Sequence, residues 1–296
     1  MKVCITGGTG FVGREVVRQL RAARHEVGLL TRATLVDPDT CATAVRGCDA
    51  VIHLVGRISE VGEQTFENVH PRLTAKVVRA ATQAGVRRFI HMSALGTRAN
   101  APARYHQTKW AAEEIVRACS FDWTIFRPSI IYGPGDGFVN LFARVAKFSP
   151  VVPLLGGGRT RFQPVSVENV ARGFVLSLAE PRACGKVFVL CGDEVLTLRA
   201  IVETVLAVTG RRRWKLTLPF GVARLQAALA ECFFARLFGQ APPLNQDQLV
   251  MLREDNIGDG RAANELFGLR HEPFAAGITR YLKSTAGRPA GYNSSP

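Results

Sequence analysis

A doubly wound α/β fold, a parallel sheet with helices on both faces, follows from three observations on this 296-residue chain. A short apolar run, Val3 to Ile5, leads straight into Gly7, Gly10 and Gly13 and then into a helical stripe at Val16, Val17 and Leu20. Strand-type runs then alternate with helical stripes as far as residue 190, the order that gives parallel strands joined by crossover helices. Tyr105 and Lys109 stand four apart at the start of one such helix, so both side chains share one face and can point at one ligand.

The bulk composition narrows the class. Hydrophobic residues at 47% and charged residues at 21% are ordinary for a soluble globular protein. No apolar run approaches the roughly 20 residues needed to cross a bilayer, and no signal-peptide pattern precedes the first strand, so a cytoplasmic location is expected. The 7 cysteines are scattered and form no Cys-x-x-Cys pair, which predicts reduced, mostly buried thiols. The 6 histidines lack ligand spacing, and no metal site is expected. A net charge of +14 favours an anionic partner, whether membrane surface, acidic protein or nucleic acid. The excess is arginine spread thinly, dense only at Arg211, Arg212 and Arg213. Without basic and aromatic residues interleaved on one element, nucleic acid is the least favoured of the three.

In chain order, the glycines at 7, 10 and 13 answer three steric needs: a tight turn, close approach to a pyrophosphate, and packing of helix on sheet. The helix that follows would aim its first amides at an anion. A second strand, His25 to Arg32, ends on an arginine. That position tests the cofactor ribose, and arginine there suits the extra phosphate of NADP(H) over NAD(H). A turn and one helix, capped by Asp39 and ending near Arg46, lead to the strand Ala50–Gly56. No strand-type run lies between these two strands, so one edge strand is expected to be shortened or missing. Phe66 to Ala84 carries a helical stripe ended by Gly85, with His70 read as a packed, core-facing residue rather than a ligand. The strand Arg88–Ser93 follows, then the helix bearing Tyr105 and Lys109, which runs to about Ala118.

A strand from Asp122 enters a Pro- and Gly-rich loop through Asp136, where an open α/β sheet places ligand contacts. Helices from about Phe138 to Phe148 and Val167 to Ala179, and a strand Lys186–Leu190, return the chain to the sheet. Beyond Gly192 come a helix Leu196–Thr209, a strand Trp214–Leu218 and a strongly apolar helix Phe220–Phe238. The last reads as lobe core or as a surface for a membrane or partner. The implied division is a dinucleotide-binding domain over 1–130 plus about 165–192. A small C-terminal α/β substrate or partner lobe covers about 131–164 and 193–283, and a disordered tail covers 284–296.

The phrases Thr6 to Gly13, His53 to Gly56, His91 to Gly96, Tyr105 with Lys109, Phe126 to Ser129 and Gln163 to Val165 carry a resemblance. The chain resembles the extended, atypical short-chain dehydrogenase/reductases of NAD-dependent epimerase/dehydratase type. Within them it is similar to the branch holding an accessory subunit of respiratory complex I and its bacterial relatives. The resemblance implies a Rossmann fold and a catalytic set of Ser93, Tyr105 and Lys109. Tyr105 would pass a proton to or from a carbonyl or alcohol oxygen, and Ser93 would hydrogen-bond that oxygen. Lys109 would favour the phenolate and hold the nicotinamide ribose. Gly7, Thr9, Gly10, Phe11, Val12, Gly13, Arg32, Leu54, Val55, Gly56, Pro128 and Ile130, with Tyr105 and Lys109, would contact the cofactor. The missing edge strand removes a region where relatives place an acidic residue against the adenine, and Thr34 stands near it. Weaker or altered adenine binding is therefore expected. Complex I relatives are held to keep NADPH for structure, so two functions stand open. One is an oxidoreductase acting on an unidentified small molecule, and the other a cofactor-bound accessory protein of a respiratory or quinone-synthesising complex, peripheral on the inner membrane face.

Overall fold

The computed structural model describes residues 1–36, 38–227 and 244–285. A six-stranded, wholly parallel sheet forms the larger part. Its strands are β1 (Lys2–Thr6), β2 (Glu26–Leu30), β3 (Ala50–His53), β4 (Arg88–Met92), β5 (Asp122–Pro128) and, after three shorter pairs have begun, β10 (Lys186–Leu190). Their order is β10-β5-β4-β3-β1-β2. Helix α1 (Phe11–Ala22) and α7 (Val167–Ser177) cover one face, where Val16, Leu20, Phe126, Phe174 and Phe188 share a core. On the other face lie α2 (Arg32–Val36), α3 (Pro38–Val45), α4 (Leu73–Gln83) and α5 (Arg104–Arg117), with Val45, Val51, Val77, Phe89 and Val116 beneath them. The doubly wound fold follows, and β2 is the sheet edge among the described residues. No strand pairs beyond β2 among the described residues, where the sequence predicts an edge strand shortened or missing.

Three local expectations change. The turn expected ahead of the helix that ends near Arg46 is itself a short helix, α2, and the expected helix is α3, which opens on Pro38, a residue suited to a first helical turn because its missing N–H bonds nothing there. Asp39 thus falls inside α3 rather than before it, and its side chain lies outside the described residues. Arg32 begins α2 instead of ending β2. The helical stripe from Phe66 holds, but Asn68–Arg72 is a π-turn containing Pro71. A wider turn relieves the clash between a proline ring and the carbonyl four residues back. The expectation of reduced thiols throughout is corrected at Cys4 and Cys48, which form a disulfide with their Cα atoms 6.1 Å apart. Spacing of 44 residues gave no sign that β1 and the approach to β3 set these side chains face to face.

The second part is a lobe built from β6 (Ile131–Tyr132), α6 (Val139–Phe148), β7 (Val151–Leu155), β8 (Arg161–Phe162), β9 (Val165–Ser166), β11 (Leu196–Thr197), α8 (Leu198–Val208) and β12 (Trp214–Leu218). Helix α9, described over 220–227, α10 (Gln246–Met251) and α12 (Phe274–Thr285) complete it. The remainder of the apolar Phe220–Phe238 stretch and the tail beyond 285 lie outside the described residues. Strands pair as β6 with β9, β7 with β12, and β8 with β11. Val152, Leu154, Ile201, Val205 and Ile278 form the lobe core. α11 (Arg261–Phe267) packs elsewhere: Phe267 sits against Phe126 and Phe188 at 5.7 and 5.2 Å in the core of the main sheet, although it falls within the 193–283 stretch.

One carboxylate pins the lobe. Asp136 Oδ1 accepts from the backbone N–H groups of Phe138, Val139 and Asn140, so it caps α6, while Oδ2 accepts from the Gly133 N–H and the Tyr281 hydroxyl. The loop read from sequence as a ligand contact is therefore also the joint between α6 and α12.

Candidate active site

The glycine turn at the C-terminal end of β1 behaves as its spacing predicts. Gly7 has φ +70° and its carbonyl accepts from Gly10 N at 3.0 Å. A Cβ on Gly13 would lie 2.0 Å from Gly7 O, so only glycine lets α1 pack there. Gly10 caps α1 with no side-chain hydrogen bond, and the first turn holds no acidic residue. The free amides and positive dipole end suit an anion. Thr9 and Gly10 are exposed and Phe11 half-buried, whereas Val12 and Gly13 are buried, so these last two can offer a ligand only backbone. Arg14, which sequence reasoning passed over, donates to Thr9 O and stands 3.7 Å from where a Gly135 Cβ would be, adding positive charge over the turn.

The same turn touches the end of β3. A Cβ on Gly7 would lie 3.3 Å from Val55 N, and the Leu54 N–H donates to Thr6 O. Leu54 is buried in the core, Val55 is half-buried and Gly56 is exposed. A Cβ on Gly56 would lie 2.8 Å from Lys109 Nζ, so the lysine passes directly under this backbone. The Lys109 ammonium donates to Met92 O at 2.9 Å, and Ser93, the next residue, is buried with its hydroxyl 3.2 Å from that of Thr97. The ends of β1, β3 and β4 and the first turns of α5 thus bring the glycine turn, Ser93, Tyr105 and Lys109 into one continuous wall. Pro128 closes it at the end of β5, where its carbonyl accepts from the Leu95 N–H. Ile130 packs instead on the lobe core, half-buried, and Arg32 is exposed at the start of α2, just past the end of β2.

Three rings hold Tyr105: Phe66, His70 and His106, with centroids 6.0, 5.3 and 5.3 Å away. His70 Nε2 accepts from Arg57 N, which leaves its proton on Nδ1, donated to Thr108 Oγ1 at 2.8 Å. The sequence reading of His70 as a packed residue holds. Burial, assisted by the Lys109 charge, pushes His70 down to about 2, and His53 down to about 3. Both rings are therefore neutral at pH 7. Burial also pushes Lys109 down to about 8, opposed by the Glu113 carboxylate, and Tyr105 up to about 12. An activated phenolate was expected from the lysine, but desolvation dominates here: Tyr105 is neutral at pH 7, while Lys109, though lowered, still holds its proton there.

The lobe contributes a contact that no local pattern announces. Asp247, on α10, accepts the Arg104 N–H at 2.8 Å and the Tyr105 N–H at 3.0 Å. Ala103, the residue at the N-cap, provides no side-chain cap, so a carboxylate 142 residues away caps the helix that carries Tyr105. Two residues earlier, Asn245 Nδ2 donates to Ile58 O and to the Ser59 hydroxyl, tying the same turn to the loop after β3. Arg57 was also missed. Its charge is disfavoured by burial and then by the nearby Arg32, so two arginines stand close together past the ends of β2 and β3. Among the described residues no group of three or more His, Cys, Asp and Glu side chains is placed to hold a metal.

Residues 3–191 match the NAD dependent epimerase/dehydratase family. The chain belongs to that family. It is similar to the mitochondrial NADH dehydrogenase [ubiquinone] 1 alpha subcomplex subunit 9 of Arabidopsis thaliana, 29% identical with 86% of this chain and 70% of the relative covered. It is also similar to the 2-alkyl-3-oxoalkanoate reductase of Stenotrophomonas maltophilia, 28% identical with 83% and 87% covered. The backbone follows that of a dTDP-glucose 4,6-dehydratase double mutant, DesIV from Streptomyces venezuelae, solved with NAD bound. Its TM-score is 0.72 at 21% identity, with 97% of each chain covered. For this family member the architecture is thus that of nicotinamide-nucleotide oxidoreductases, with complex I subunits and bacterial reductases both among its relatives.

Proposed function

We propose that this protein is an NADP(H)-dependent oxidoreductase that moves a hydride to or from a carbonyl or alcohol carbon, with Tyr105 as the proton donor or acceptor. The observation that carries this reading is the continuous wall from the glycine turn through Gly56 and Lys109 to Tyr105. The residues present fit a dinucleotide: a cradle that only glycine permits, an uncapped helix N-terminus and arginines at the adenosine end. The bound nicotinamide would supply the hydride chemistry. Gly10 to Gly13 would hold the pyrophosphate by backbone amides, Arg32 and Arg57 the 2′-phosphate, and Lys109 the ribose. Ser93 would fix the substrate oxygen for Tyr105. Tyr105 is neutral at pH 7, so it starts as an acid, which favours carbonyl reduction as the forward direction.

The reductases among the relatives suggest the substrate panel: β-oxo acids, ketones and quinone-pathway carbonyl compounds. NADPH oxidation against it should fall about 100-fold or more in Tyr105→Phe, the range general acid catalysis supplies. A variant that matches wild type on every active compound overturns the mechanism. Arg32→Ala should weaken NADPH binding about tenfold while leaving NADH binding within twofold, as expected for loss of one charge-assisted contact. Equal loss for both cofactors counts against the phosphate assignment. A second reading, a cofactor-bound accessory protein of a respiratory complex, is favoured by the subunit relatives. It predicts NADPH retained through purification and no turnover on any compound.

A further inference from the structure

The corner of the lobe formed by α6, β7 and β12 is at once strongly basic and apolar. Residues 137–160 and 204–227 contain no Asp or Glu, yet they carry Arg144, Lys147, Arg159, Arg211, Arg212, Arg213, Lys215 and Arg224. At the same corner two aromatic side chains stand in solvent, Phe148 at 76% and Trp214 at 81% exposure. The fold brings them together: Trp214 N donates to Pro150 O, two residues past Phe148, and Arg213 Nε donates to Ala146 O.

β12 explains why the face is bare. Side chains alternate along a strand. Lys215 points towards α8, where it pairs with Glu203 at 2.7 Å, so Trp214 and Leu216 point the other way. Leu216 is 58% exposed. At the far end of the strand Leu218 turns into the small cluster around Leu155 and Ala223, and on α9 the residues opposite Ala223 and Ala227, Val222 and Leu225, are exposed as well.

We infer that the Phe148–Trp214–Leu216 face, with its basic rim, is a docking surface for an anionic lipid bilayer. The two parts of the surface match the two layers of that partner. Exposed Trp, Phe and Leu side chains partition into the headgroup boundary, and lysines and arginines around them meet the anionic headgroups, each adding affinity that falls with salt. Nucleic acid would use the charge and the rings but leave Leu216, Val222 and Leu225 without a counterpart. The surface includes none of the residues assigned to the cofactor or to catalysis, and it does not depend on the catalytic reading.

The test is co-sedimentation of the full chain with vesicles of phosphatidylcholine alone or containing 30% phosphatidylglycerol, read beside Trp emission. Binding is expected to the anionic vesicles only, with a blue shift, and to fall at least tenfold between 50 and 500 mM salt. The double variant Trp214→Ser, Leu216→Ser should lose about tenfold in binding and the blue shift, while NADPH affinity stays unchanged and reports an intact fold. Arg211→Gln with Arg212→Gln should weaken anionic-vesicle binding without altering the spectrum of the free protein. Vesicle binding that is absent, or unchanged in both variants, overturns the inference. Binding to poly-uridylate that exceeds vesicle binding reassigns the surface to nucleic acid and overturns it equally, and so does a salt-resistant dimer that covers Trp214.

Discussion

Lys109 is 1% exposed, and its amine is the charged group most deeply set in the cofactor wall. Its folded-state value of about 8 lies below its ordinary 10.5. Between those values the unfolded chain holds a proton that the folded chain has released, so this residue makes stability rise with pH across that window. Below it both states are charged and the folded protein bears the whole desolvation cost, at most about 3 kcal/mol. Lys109→Met is accordingly expected to raise the melting temperature at pH 7, to flatten the rise in stability from pH 8 to 10, and to abolish NADPH-dependent turnover. Calorimetry at pH 7 and 9 checks the first two, and a variant less stable than wild type at pH 7 contradicts the desolvation argument. A residue that costs stability and is required for turnover is a mark of function rather than of packing. The neutral histidines 53 and 70 around it are consistent with this, since a second buried cation beside Lys109 would raise the cost further.

Helix α5 is held at three levels. Its buried face carries Glu113, whose carboxylate meets Arg117 and Arg127, each at 2.6 Å, and so fastens the helix to β5. Thr108 couples it to His70. Among the described residues, the side chain that caps its first turn is that of Asp247. Removing a cap costs about 1 kcal/mol, so Asp247→Ala should lower the melting temperature by about 2–4 °C. Because the two capped amides belong to Arg104 and Tyr105, kcat should also fall about tenfold while KM for NADPH holds. Asp247→Asn, whose single carbonyl oxygen can accept from only one of these two amides, should restore part of kcat; a variant that loses stability but keeps kcat would show the contact to be structural only. None of this was legible in the sequence. The glycine turn, the strand and helix alternation and the Tyr105–Lys109 pair were readable because each depends on spacing within a few residues. Asp247, the Cys4–Cys48 bridge and the Asp136–Tyr281 joint depend on which distant segments the sheet brings together. The π-turn at Pro71 was missed for another reason: a single proline decided it against a stripe that reads as one continuous helix.

At the scale of the molecule, the sheet ends at β2 among the described residues. If Arg32 and Arg57 hold the cofactor as proposed, charge does more of the holding than enclosure, and cofactor affinity should decline steeply with salt. The Asp247 contact ties the lobe to α5, and its consequence is architectural. A lobe that caps the helix bearing Tyr105 is not an interchangeable cassette. A chimera that grafts a relative's lobe onto this sheet must bring a carboxylate to position 247 as well as a pocket, or the graft will recognise its new substrate while misplacing the tyrosine meant to act on it.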